Sequence, residues 1–159
     1  MSELRVGELR ALVGREFLSS WRIVGQDAIN QFAAVTGDRQ WIHVDADRAK
    51  RESPYGGTIA HGFLSLSLIA TLLQDATGEA AVGLIAINYG LNKVRFPAPL
   101  PSGSRVRGRC ALQLLRPVDG GVQATWQVVV ESDGAEKPCC AAEWLINYYE
   151  ATAVKMAGG

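Results

Sequence analysis

The sequence predicts an α+β domain in which an antiparallel sheet wraps around one long apolar helix. Two observations carry this expectation. Residues His61 to about Gln74 are apolar nearly all the way round, with Phe63, Leu64, Leu66, Leu68, Ile69, Leu72 and Leu73, and a helix without a polar face has to be buried on most sides. The second half of the chain then reads as four long strands, Val82 to Phe96, Ser104 to Val118, Val122 to Ser132 and Pro138 to Tyr149, rich in β-branched and aromatic residues. Helical and strand elements kept in separate halves point to a sheet that curves around the helix.

Taken in order, Glu8 to Val13 has the pattern of a short helix and Phe17 to Val24 that of a first strand. Asp27 to Val35 places Ala28, Ile29, Phe32 and Ala33 on one helical face. Asp45 is suited to cap a helix running to Arg51, because its carboxylate accepts the orphan N–H groups of the first turn. Ser53-Pro54-Tyr55-Gly56-Gly57 is turn chemistry. Strand alternation is clear at Val122, Ala124, Trp126, Val128 and Val130, and again at Trp144, Ile146 and Tyr148. The separators Asp119-Gly120-Gly121 and Asp133-Gly134 tolerate the positive φ of tight hairpins, so these strands are expected to pair antiparallel. Trp126, Trp144, Tyr148 and Tyr149 are expected to furnish a contact surface on the sheet's exposed face. Residues 1–152 form one domain and 153–159 a frayed tail.

Composition narrows the class of function. Sixteen basic residues balance sixteen acidic ones, with no basic stripe, which argues against nucleic acid or membrane as a partner. Cys110, Cys139 and Cys140 are an odd set without disulfide or zinc spacing. They read as small apolar fillers in a reducing compartment. The N-terminus lacks a basic patch followed by an apolar stretch, and Phe63 to Leu73 is too short to span a bilayer. A cytoplasmic protein is expected. No phosphate-binding glycine loop or dinucleotide fingerprint is present, so no nucleotide cofactor is implied, and no metal.

Three segments carry a family resemblance. Phe32-Ala-Ala-Val-Thr-Gly37-Asp38-Arg-Gln-Trp-Ile-His43 resembles the signature of the MaoC-like dehydratases, the (R)-specific enoyl-CoA hydratases of the hotdog fold. Ala60-His61-Gly62-Phe63-Leu64-Ser65-Leu66-Ser67 is similar to that family's helix-start motif, and Asn92-Lys93-Val94-Arg95-Phe96-Pro97-Ala98-Pro99 to its strand-and-turn segment. The similarity covers residues 17 to 148 and is greatest to the actinobacterial single-hotdog hydratases and the nodulation-protein-N-like branch. One departure stands inside the signature: Gln40 and Trp41 occupy positions where the family usually has Asn and Pro.

The resemblance implies a homodimer, an acyl-CoA thioester substrate, no cofactor beyond the CoA of that substrate, and a catalytic pair, Asp38 and His43. Adding water to a 2-enoyl thioester requires a held, partly deprotonated water, a proton for C2 and stabilisation of negative charge on the thioester oxygen. Asp38 and His43 on one loop suit the first task; the plainer reading of each is a turn aspartate and a structural histidine. Gly62, at the helix start, offers a backbone N–H for the oxyanion, or is simply a packing glycine. Ser67 lies at the spacing where the family places a serine near the water, although its hydroxyl can instead bond a carbonyl one turn back. Gln40 and His61 are supporting groups, and Asn92, Lys93 and Arg95 are candidates for the CoA phosphates or a solvated strand edge. A hotdog thioesterase and a non-catalytic acyl-thioester binding domain are the competing readings.

Overall fold

The structure, a computed structural model, describes residues 8–78 and 83–150. After a helical turn at 8–11, the short strands β1 (Glu16–Leu18) and β2 (Arg22–Val24) lead into helix α1 (Gln26–Thr36). Two small helices follow, α2 (Trp41–Val44) and α3 (Ala46–Glu52), then α4 (Gly62–Ser67) and α5 (Ile69–Thr77). Four strands complete the chain: β3 (Leu84–Arg95), β4 (Ser104–Val118), β5 (Gly121–Ser132) and β6 (Cys140–Glu150). They form one antiparallel sheet in the order β1-β4-β5-β6-β3, with β2 also on β4. The tail at 153–159 lies outside the described residues.

The expected wrapping is present. Every second residue of β5 and β6 is buried, including Val122, Ala124, Trp126, Val128 and Val130 on the first and Trp144, Ile146 and Tyr148 on the second. These side chains share one core with Leu64, Ile69, Leu72 and Leu73 of the helix. The sequence offered Trp126, Trp144 and Tyr148 as a contact surface; the structure overturns this, because the strand period of two puts all three on the helix-facing side. Tyr149, on the alternate face, is half-buried. Shifts of register in β3 and β4 mark bulges, the device by which a sheet curves around its filling.

Two further expectations need amendment. The single helix over 61–74 is divided at Leu68, although hydrogen bonds from Leu68 to Leu64 and from Leu72 to Leu68 carry the ladder through. Its burial is also incomplete, for Phe63 is 69% exposed. The first strand is broken into β1 and β2, and helix α2 was not anticipated. Asp45 caps α3 as expected, accepting the N–H of Arg48 at 2.9 Å. All three cysteines are buried and free. Among the described residues no helix is long and apolar enough to cross a membrane.

The helix presses closely on β4 at Gly108. A Cβ there would lie 2.8 Å from the Cβ of Leu72, well inside contact distance. Overpacking a filled core costs about 1–3 kcal/mol, so Gly108→Ala is expected to lower the unfolding free energy by that amount, seen as a lower urea midpoint at unchanged slope. A midpoint equal to wild type would show that the helix does not press on the sheet here.

Candidate active site

Three titratable side chains meet at one end of the helix. A carboxylate oxygen of Asp38 and one ring nitrogen each of His43 and His61 lie within 4.8 Å of one another. Asp38 follows Gly37, which ends α1 with φ 80°, a left-handed conformation that glycine adopts without steric cost. His43 sits in α2, and His61 stands at the N-cap of α4. Asp38 is exposed while His43 and His61 are buried, so the group runs from solvent inward. The two imidazoles stack, with centroids 3.9 Å apart and planes at 26°.

The backbone fixes which nitrogen of each ring carries a proton. Nδ1 of His43 lies 2.7 Å from the Ile59 carbonyl. A carbonyl only accepts, so Nδ1 must donate, and in the neutral ring Nε2 is left with a bare lone pair. By the same argument Nε2 of His61 donates to the Asp38 carbonyl at 2.9 Å. Its Nδ1 is buried without a partner.

His43 is held by two neighbouring segments. The Ile59 N–H donates to the Ile42 carbonyl at 3.0 Å, so one residue of the 58–60 segment grips both backbone and ring of α2. Gln26 adds a second grip: its amide donates to the His43 carbonyl at 2.7 Å, and its own oxygen accepts the Thr58 hydroxyl. Segment 58–60 is itself held by residues 100–102, through Ala60 N–H to Leu100 and Ser102 N–H to Thr58. The sequence reading missed Gln26, Thr58 and Ile59, because partners 16 to 32 residues apart leave no local signature.

The other expected residues are placed as follows. Asp38 Oδ1 accepts the Gln40 N–H at a long 3.3 Å, the turn geometry of the plainer reading, which leaves the carboxylate's other lone pairs open. Gln40 caps α2 through its backbone, with an exposed side chain. Trp41 is the first residue of α2, the position that proline favours in helices. Here Trp41 lies 4.4 Å beneath the Arg48 guanidinium, which also pairs with Glu52. Gly62 packs closely under Phe96, and a Cβ there would sit 3.2 Å from the ring.

Ser67 does not join the group. It is exposed, and its hydroxyl donates to the Phe63 carbonyl at 2.7 Å. Ser65 takes the inward place instead: it is buried and, with His43, Gly62, Phe96 and Cys139, lines a cavity of about 450 Å³. Two residues along a helix turn a side chain by about 200°, so only one of the pair can face inward. Asn92 is tied to Glu143 at 2.6 Å and Arg95 folds onto the Val94 carbonyl; Asn92, Lys93 and Arg95 are all exposed on β3.

Comparison with known proteins identifies the family. The family described as the MaoC like domain matches residues 8–133. The chain belongs to the MaoC-like dehydratase family. It is accordingly an enzyme of the hydratase/dehydratase class, a lyase. It is 48% identical over 145 residues to 3-hydroxyacyl-thioester dehydratase Z of Mycobacterium tuberculosis, covering 90% of this chain and 95% of that protein. It is 40% identical to nodulation protein N of Rhizobium meliloti, over 91% of each chain. The (R)-hydratase from A. caviae involved in PHA biosynthesis shares the fold, with a TM-score of 0.68 at 23% identity, over 84% of this chain and 94% of that one. The hotdog architecture expected from sequence is therefore the one present.

Gln26 offers a direct check on the bracket. Gln26→Leu leaves the Thr58 hydroxyl and the His43 carbonyl without their partner. A buried polar group left unsatisfied costs about 1–3 kcal/mol, so the variant is expected to lose stability by that amount in urea denaturation. Unchanged stability would mean that Gln26 does not hold α2.

Proposed function

We propose that this MaoC-like dehydratase interconverts trans-2-enoyl-CoA thioesters and (R)-3-hydroxyacyl-CoA, with Asp38 and His43 activating the water. The observation that carries this reading is the bond from His43 Nδ1–H to Ile59, which leaves Nε2 as the lone-pair nitrogen of a ring that has one nitrogen within 4.8 Å of an Asp38 carboxylate oxygen. In hydration, water oxygen adds to C3 while one water proton passes to the Asp38–His43 pair. The π electrons move toward the thioester oxygen, C2 takes up a proton, and the same atoms move in reverse for dehydration. Two coupled groups share the proton, so the base is the pair rather than either member.

Gly62 is assigned the oxyanion. As the first residue of α4 its N–H has no intrahelical acceptor, and it borders the same cavity as His43. A cavity of about 580 Å³ between α5, β3 and β6, lined by Leu73, Ala86, Trp144 and Ile146 together with Gln74 and Asn88, offers room for hydrocarbon. Lys93 and Arg95 keep cationic groups at the surface near Phe96 for the CoA phosphates, whereas the Asn92 amide is already engaged by Glu143. The chemistry draws on no cofactor beyond the CoA of the substrate.

A homodimer is part of the proposal. Strand β3 is twelve residues long and, among the described residues, forms the end of the sheet, with Ile87, Tyr89 and Leu91 at least 41% exposed. A long apolar edge with unpaired backbone groups is a template for a second chain. Three buried free thiols fit a reducing, cytoplasmic setting. The thioesterase alternative would need a carboxylate on the buried helix. Its first acid, Asp75, instead accepts the backbone N–H of Ser20.

The test mixes purified protein with crotonyl-CoA and with a longer trans-2-enoyl-CoA, following enoyl absorbance, free thiol and the configuration of the product. Loss of absorbance without thiol, giving the (R)-alcohol, is expected. General acid–base groups contribute about 10²–10⁴-fold, so Asp38→Asn and His43→Ala should each lose activity on that scale. Thiol release would mark a thioesterase, and full activity in both variants would refute the site.

A further inference from the structure

We propose that His61 is a positioning residue, whose Nε2–H holds the Asp38 backbone at the distance from His43 that the reaction needs. The inference rests on the assignment of Asp38 and His43 as the water-activating pair. Residues 38–40 are exposed and weakly anchored: the Asp38 N–H meets Thr36 Oγ1, and the Gln40 N–H meets Asp38 Oδ1, both at 3.3 Å. Among the described residues, the bond from His61 is the one hydrogen bond that ties this stretch to a distant element. At 2.9 Å it is also the shortest made by Asp38.

The same ring reaches the other member of the pair. It stacks on His43 at 3.9 Å and packs against Phe32 of α1 at 5.0 Å, and it is 3% exposed. One buried imidazole thus contacts residue 38 by a hydrogen bond and residue 43 by its face, and so sets their separation. Phe32 closes the arrangement from the helix that delivers Gly37 and Asp38. A ring so enclosed has few alternative rotamers, which makes it a fixed spacer rather than a mobile group. The bond to the Asp38 carbonyl requires the proton on Nε2 and so sets the tautomer of the ring.

The experiment compares steady-state hydration by full-length His61→Gln, His61→Asn and His61→Phe. The glutamine amide reaches where Nε2 stood and can donate to Asp38; the asparagine amide reaches only the Nδ1 position. Phenylalanine keeps the packing and removes the bond. Misplacing a catalytic group by about 1 Å costs on the order of 100-fold, so Asn and Phe are expected to lose kcat on that scale with little change in KM. Gln keeps most of kcat. Should Asn fail to fold, the contrast between Gln and Phe decides in its place. Equal kcat in the Gln variant and its comparator, whether both high or both low, overturns the proposal. Asp38→Asn and His43→Ala are run alongside: if they retain full activity, the parent assignment fails and takes this inference with it. If they are impaired while Gln and its comparator match, this inference alone falls.

Discussion

The hydrogen bond from His43 Nδ1 to the Ile59 carbonyl is the contact on which the rest of the site depends. Its net contribution to stability is modest, about 0.5–1.5 kcal/mol for an ordinary buried bond. Its chemical consequence is larger, because it chooses the tautomer. A ring that donates from Nδ1 can act as a base only through Nε2. The reciprocal bond from the Ile59 N–H to Ile42 makes the choice hard to undo, since ring rotation would have to break a contact that backbone geometry keeps in register.

That bracket is anchored to the core by a short chain of bonds. Segment 58–60 pairs with residues 100–102, and the Gly103 N–H continues to Val24 in β2. Leu100 is buried in the core formed by the helix and the sheet. Wrapping a sheet around an apolar helix therefore does more than bury hydrocarbon. It leaves the helix N-terminus at the rim, where His61 and Gly62 meet the loop that bears Asp38. The two halves of the site come from opposite sides of the 45–60 connection, and only the wrapped arrangement brings them together.

The sheet and its filling were legible because each rests on periodicity. Alternation from Val122 to Val130 and the all-round apolar pattern after His61 report burial directly. What alternation did not disclose was the direction of burial, so Trp126 and Trp144 were assigned to the wrong face. Asp38, His43, His61 and Gly62 were found through motif resemblance, and the structure brings them to one place. Ser67 came from the same resemblance but is exposed and bonded to the Phe63 carbonyl, because spacing along the sequence could not tell which of two helix serines faces inward. Gln26 and Ile59 were invisible because their partners are distant in sequence. The Gln40-Trp41 departure from the family pattern has a local explanation. Trp41 keeps the first position of α2 and finds a cationic partner in Arg48, so the short helix that carries His43 is retained without proline.

Membership in the MaoC-like dehydratase family places water addition and elimination within reach of this chain, and the roles proposed for Asp38 and His43 rest on the tautomer that the Ile59 bond selects. His43 presents Nε2 as the basic nitrogen, and long-range ¹H–¹⁵N correlation of the histidine rings tests this. The expected spectrum shows the His43 proton on Nδ1, with the signature of an unprotonated Nε2. A His43 ring carrying its proton on Nε2 would contradict it.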